Sequence, residues 1–97
     1  MCQNASMNEQ IAQALIASEV RRLETLSYTH LVSMIGKVET KELVGEDGKN
    51  YQLETQAFWD SKKGDNVRLI VAVDDGGWRA YKPLTDGFIM RPDGSLV

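Results

Sequence analysis

The sequence predicts an α+β fold in which an N-terminal amphipathic helix packs on a four- to five-stranded antiparallel β-meander. Apolar residues recur at helical spacing up to Leu26, whereas apolar and polar residues alternate with a period of two from Ile35 onward. Asp-Gly turn signals interrupt the alternating region at 47–48 and at 75–76. With 97 residues, we expect a single domain, 1–97, with flexible ends at 1–6 and 92–97.

The helix is predicted from a cap and from one apolar arc. Residues 6–9, Ser-Met-Asn-Glu, match a capping box, so the helix should begin at Met7. Glu19 falls within the apolar arc, where a carboxylate is either paired at the edge of the core or has its pKa raised by burial. The arc comprises Ala12, Leu15, Ile16, Val20, Leu23 and Leu26. Tyr28 to Met34 forms either a short second helix capped by Ser27 or a loop.

The first predicted hairpin turns at Asp47-Gly48. A two-residue turn there places four pairs on the inner face and sets Lys41 opposite Glu54 on the outer face. The predicted inner pairs are Val44 with Tyr51, Thr40 with Thr55, Val38 with Ala57, and Gly36 with Trp59.

The second predicted hairpin is the centre of the sheet and turns at Asp75-Gly76. Its fourth strand should end near Pro83, because proline cannot donate to a ladder, and Phe88–Met90 is a candidate fifth strand. The predicted pairs are Val73 with Trp78, Val71 with Ala80 and Leu69 with Lys82 on the core face, and Ala72 with Arg79 and Ile70 with Tyr81 on the outer face.

Composition excludes several classes of function. The net charge is −3 and the eleven basic residues are scattered, which argues against a nucleic-acid partner. No apolar run reaches membrane-spanning length, and the N-terminus does not resemble a secretory leader. Cys2 is the only cysteine, so no internal disulfide forms and a cytoplasmic location is expected, although modification of Cys2 stays open.

Groups suited to catalysis are scarce. His30 is the only histidine and is expected to face solvent, and Asp74 and Asp75 suit a turn better than a shared proton. Neither a nucleophile motif nor a phosphate-binding loop is present, so we predict no cofactor and no metal.

These features favour a protein-binding or regulatory module that uses the outer face of the sheet. Arginine, tyrosine and phenylalanine are enriched at protein interfaces, and all three types lie on the predicted outer face. The candidate binding residues are Arg68, Arg79, Tyr81, Phe58, Gln56 and Glu54. One alternative is a small-ligand-binding protein or enzyme, with a pocket between helix and sheet lined by Glu19, Tyr51 and Trp59. A second alternative is a structural subunit of a homo-oligomer, for which the edge strands provide free backbone groups.

Overall fold

The computed structural model describes residues 9–74 and 84–97 and has the predicted α+β architecture. Two helices pack on one face of an antiparallel sheet whose strands lie in the order β1-β2-β3-β4. The elements are α1 (Glu9–Glu24), α2 (Tyr28–Ser33), β1 (Val38–Val44), β2 (Asn50–Trp59), β3 (Val67–Asp74) and β4 (Leu84–Met90).

The α1 helix buries most of the predicted apolar arc, but Leu15 is only partly buried and Leu26 lies beyond the end of the helix. Ala12, Ile16, Val20 and Leu23 are buried, and Glu19 is buried with them. The backbone of α1 approaches β4 and β3 more closely than it approaches β1 and β2. The predicted capping box at 6–9 begins outside the described residues.

The second helix forms because Ser27 caps it. The backbone of Ser27 is extended, and its Oγ accepts a hydrogen bond from the His30 N–H at 3.1 Å, as expected for an N-cap. Within this helix, the side chain of Leu31 is fully buried. The Tyr28 hydroxyl donates a hydrogen bond to the Asp65 carbonyl at 2.7 Å. Of the two predicted conformations for this segment, the helix is therefore the one observed.

The two inner strands direct their odd-numbered residues toward the helices, as predicted. Leu69, Val71 and Val73 of β3 are completely buried. On β2, Tyr51, Leu53, Thr55 and Ala57 are also buried. Since side chains alternate along a strand, the even-numbered residues of both strands point away from the helices.

The predicted register of β1 on β2 is wrong by one residue. Gly45 N donates to the Lys49 carbonyl and Gly48 N to the Gly45 carbonyl, while Gly48 has a φ of +79°. This is a three-residue loop, a type I turn followed by a left-handed glycine, and not the two-residue turn expected from Asp47-Gly48.

The longer loop reverses the two faces of β1. Lys41 lies opposite Leu53 on the helix side, so the predicted Lys41–Glu54 pair does not form. Val38 and Val44, predicted to face inward, are 55% and 67% exposed. Gly36 is exposed and precedes β1, so its predicted pairing with Trp59 is also wrong.

The predicted register of the fourth strand on β3 is wrong as well. Both edges of β3 are paired within the described residues, one with β2 and the other with β4. Val73 lies opposite Leu84 and Leu69 opposite Phe88, in place of Trp78 and Lys82. The predicted partners of Val71, Ala72 and Ile70 were Ala80, Arg79 and Tyr81. In the structure, Val71, Ala72 and Ile70 lie opposite Asp86, Thr85 and Gly87 instead.

The apolar residues after Pro83 therefore supply the partner of β3. Phe88–Met90, predicted as a fifth strand, is the second half of β4. Met90 is buried, and Leu84 and Phe88 pack against the core. A local turn signal such as Asp75-Gly76 does not measure this burial. Residues 75–83 lie outside the described residues.

The C-terminal residues turn back along β4. Arg91 N donates to the Ser95 carbonyl and Gly94 N to the Arg91 carbonyl, which closes a turn. Leu96 then bridges to Met90, and Val97 N donates to the Ile89 carbonyl at 2.9 Å. One end of the outer edge of β4 is thus occupied by residues expected to be flexible.

Gly87 of β4 has no space for a side chain. A Cβ atom at this position would collide with the carbonyl oxygen of Leu69 on the neighbouring strand. We predict that Gly87→Ala lowers the free energy of unfolding by about 1–3 kcal/mol, as overpacking does elsewhere. Chemical denaturation measures the change, and Thr85→Ala, at an exposed position of β4, is the control. Equal stability of the two variants would contradict this close approach of β3 and β4.

Candidate functional site

A charged cluster closes the edge of the core on the helix side of the sheet. Glu19 Oε2 lies 2.7 Å from Arg22 Nη2, and Glu19 Oε1 lies 3.0 Å from Lys41 Nζ. Only 8% of the Glu19 side chain is exposed, whereas Arg22 and Lys41 are about half exposed. Burial by itself raises the pKa of Glu19, but the hydrogen bonds from Arg22 and Lys41 outweigh it and hold the pKa below its usual value.

Glu19 is therefore a carboxylate paired at the edge of the core, which confirms the first of the two predictions. The other prediction, a pKa raised by burial, is wrong. Lys41 was not predicted as a partner of Glu19, because a two-residue turn at Asp47-Gly48 would place Lys41 on the outer face. An ionised carboxylate held by two cations is poorly suited to accept and release a proton near neutral pH.

The three residues proposed to line a pocket between helix and sheet are not brought together. Tyr51 and Trp59 lie toward opposite ends of β2, and eight strand residues span about 26 Å. Tyr51 is completely buried, and its hydroxyl donates to Asp47 Oδ2 at 2.7 Å. This bond lowers the pKa of the Asp47 carboxyl. Trp59 is partly buried and packs against the core.

The predicted binding residues within the described ranges lie on the face away from the helices. Glu54, Gln56 and Phe58 are at even-numbered positions of β2, and Phe58 pairs directly with Arg68 of β3. Phe58 is 43% exposed. Arg68 is oriented by Asp60, whose Oδ1 accepts from Arg68 Nε at 3.0 Å and lies 2.8 Å from Arg68 Nη2. Arg79 and Tyr81 lie outside the described residues.

A groove of about 440 Å³ runs along this outer face between β3 and β4. Arg68 stands at one end, opposite Ile89, and Thr85 stands at the other, opposite Ala72. Ile70 and Gly87 lie opposite each other in the middle of the groove. The full lining is Arg68, Leu69, Ile70, Thr85, Asp86, Gly87, Phe88, Ile89 and Val97.

The β4 side of this groove was not predicted from the sequence. Ile89 was predicted in a separate fifth strand and Val97 in a flexible end. The available signal was the apolar run Phe88–Met90, which is too rich in large apolar residues for an isolated terminal strand. Arg68 and Ile70 were placed correctly because side chains alternate along a strand and Leu69, Val71 and Val73 face the helices.

Neither a metal site nor a membrane-spanning helix is found among the described residues. Within residues 9–74 and 84–97, no group of three or more His, Cys, Asp or Glu side chains is positioned to hold a metal ion. His30 is exposed on α2. Neither helix in these two ranges has the length and apolar character required to cross a membrane.

The chain matches no protein-family profile, no curated protein and no solved structure. Its function must therefore be inferred from its own residues.

We predict that Glu19→Gln lowers the free energy of unfolding by about 1–2 kcal/mol at neutral pH. This is less than the loss of a fully buried pair, because both cations keep contact with water. The pKa of Glu19 is lowered in the folded state, so its contribution is complete above the ordinary glutamate pKa and is lost as the pH falls through the lowered value. Urea denaturation at several pH values measures this. Glu42→Gln, at an exposed position on β1, is the control, and a difference that persists in acid would refute the ion pairing.

Proposed function

We propose that this protein is a binding or regulatory module that acts in the cytoplasm and recognises another polypeptide through the outer face of its sheet. The recognition site is centred on the groove between β3 and β4 and on Phe58 beside it. The observation that carries the proposal is this groove, open on the face that neither helix covers.

The apolar content of the groove supports a polypeptide partner. Ile70 and Ile89 are only partly buried, and Phe58 is 43% exposed next to Arg68. An aromatic side chain beside an arginine is a common anchor of protein interfaces, since both combine a large contact area with directional contacts. The groove would accept an apolar side chain of the partner.

The two ends of the groove differ in charge. The cationic residue Arg68 lies at one end, and the neutral residue Thr85, opposite Ala72, lies at the other. Asp60 holds the guanidinium in place through two contacts, which reduces the entropy lost on binding. A partner segment with a hydrogen-bond acceptor near Arg68 complements this arrangement.

We predict that Phe58→Ser and Arg68→Glu each abolish capture of the partner from a native cell extract by the immobilised protein. The first change removes the apolar anchor and the second reverses the charge at one end of the groove. Quantitative mass spectrometry compares the proteins retained by each variant. Each substitution of a residue that dominates an interface typically costs about 2 kcal/mol or more, which is roughly a thirtyfold loss of affinity.

Two controls carry the same chemical changes elsewhere. Val44→Ser removes an exposed apolar side chain at the far edge of the same face, and Arg21→Glu reverses an exposed charge on α1. Both should retain the partner, and all four variants should keep the far-ultraviolet circular dichroism of the wild type. Retention of the same partner by Phe58→Ser and Arg68→Glu would refute the proposed site.

A further inference from the structure

We infer that two copies of this chain pair through their β1 strands, so that the two four-stranded sheets form one continuous antiparallel sheet. The partner on this edge is a second copy of the same chain, related by a two-fold axis through Thr40. The exposed edge of β1, the direction of its backbone groups and its pattern of charges support this pairing. The pairing does not involve the groove on the outer face.

The β1 strand is a terminal strand of the sheet. In the part of the chain that the structure describes, it pairs only with β2, whereas the other terminal strand, β4, has Leu96 and Val97 folded back on part of its edge. All of β1 except Leu43 is exposed. Such an edge offers a row of unpaired N–H and C=O groups to another strand.

The hairpin loop determines which residues of β1 offer their backbone groups. Gly45 N donates to the Lys49 carbonyl, and hydrogen-bonded pairs alternate along an antiparallel ladder. Glu39, Lys41 and Leu43 therefore direct their N–H and C=O groups toward β2. The outward groups belong to Val38, Thr40, Glu42 and Val44.

Symmetry restricts the possible registers. A two-fold axis perpendicular to the sheet keeps the helices of both copies on the same side, so helix-side residues of one copy must lie opposite helix-side residues of the other. The axis must then pass through a residue of β1. Thr40, Lys41 and Glu42 are the candidates that allow at least five residues of each strand to pair.

Charge complementarity selects Thr40 among these three. An axis through Lys41 sets two lysines opposite each other, and an axis through Glu42 sets two glutamates opposite each other; like charges directly opposite are destabilising. An axis through Thr40 sets Glu39 opposite the partner's Lys41 and Lys41 opposite the partner's Glu39. Thr40 then faces itself, and a Thr-Thr pair is among the favourable cross-strand pairs.

The Glu19 cluster extends across this interface. Lys41 contacts Glu19 of its own chain at 3.0 Å, and Glu39 is close enough to Arg22 to raise the pKa of that guanidinium, after the larger effect of the Glu19 hydrogen bond. Pairing through Thr40 brings the two clusters together as alternating acidic and basic groups. The charges that would repel strands in the other two registers are complementary in this one.

Sedimentation equilibrium over a series of protein concentrations tests the association. We expect the wild type to approach twice its mass of 10.8 kDa at high concentration, because an interface formed mainly by one strand pair is small and weak. A chain that stays monomeric at every concentration would overturn the proposal.

Thr40→Pro tests the edge. Proline removes only an N–H that points away from β2, and proline is tolerated at such positions of edge strands. The two copies lose two mutual hydrogen bonds, so the dissociation constant should rise roughly thirtyfold. Thr40→Ser keeps the N–H and should remain dimeric. If Thr40→Pro is folded by circular dichroism and still dimerises like the wild type, the proposed edge is wrong.

Disulfide trapping tests the register without depending on Thr40→Pro. In a Cys2→Ser background, oxidised Thr40→Cys should form a covalent dimer, because facing residues of a hydrogen-bonded pair have Cα atoms about 5.5 Å apart, within disulfide range. Glu42→Cys should not, because its two copies would lie about 14 Å apart. A covalent dimer of Lys41→Cys or Glu42→Cys, with none of Thr40→Cys, would overturn the register. Dissociation of the dimer by Phe58→Ser would assign the contact to the outer face.

Discussion

The structure depends on burying one face of β3 beneath the two helices. Leu69, Val71 and Val73 are fully removed from solvent, so no neighbouring strand can shift by one residue on β3 without placing polar side chains in the core. Because strand side chains alternate, the same constraint points Arg68 and Ile70 away from the helices. The surface proposed for recognition therefore follows from how the core is packed, and needs no separate structural element.

Burial decreases across the sheet from β3 to β1. The α1 backbone lies nearest to β4 and β3, and β1 has mostly exposed residues. On this uncovered side, Lys41 of β1 lies at a helix-side position, whereas the corresponding position of β3 is apolar Val73. Lys41 reaches Glu19 there, so the carboxylate in the apolar arc of α1 is neutralised at the boundary between core and solvent. The same charges distinguish between registers when another β1 strand approaches.

One additional loop residue accounts for the different chemistry of β1. A two-residue turn at Asp47-Gly48 would have placed Lys41 in solvent beside Glu54 and would have left Glu19 without this partner. The loop closes instead with Gly48 in a left-handed conformation, and every side chain of β1 changes face. Val38 and Val44 become exposed as a result, and Lys41 joins the cluster on the helix side.

Local sequence patterns determined the features that depend on one element alone. These were the apolar arc of α1 and the inward parity of β2 and β3, together with Arg68 and Phe58 on the outer face. These patterns did not decide between a helix and a loop after Ser27. The tertiary structure decided the register of β1, the location of β4 and hence the groove beside Gly87. Periodicity specifies which residues of a strand share a face, whereas the alignment of two strands depends on loop conformation and on the apolar area that the whole sheet buries.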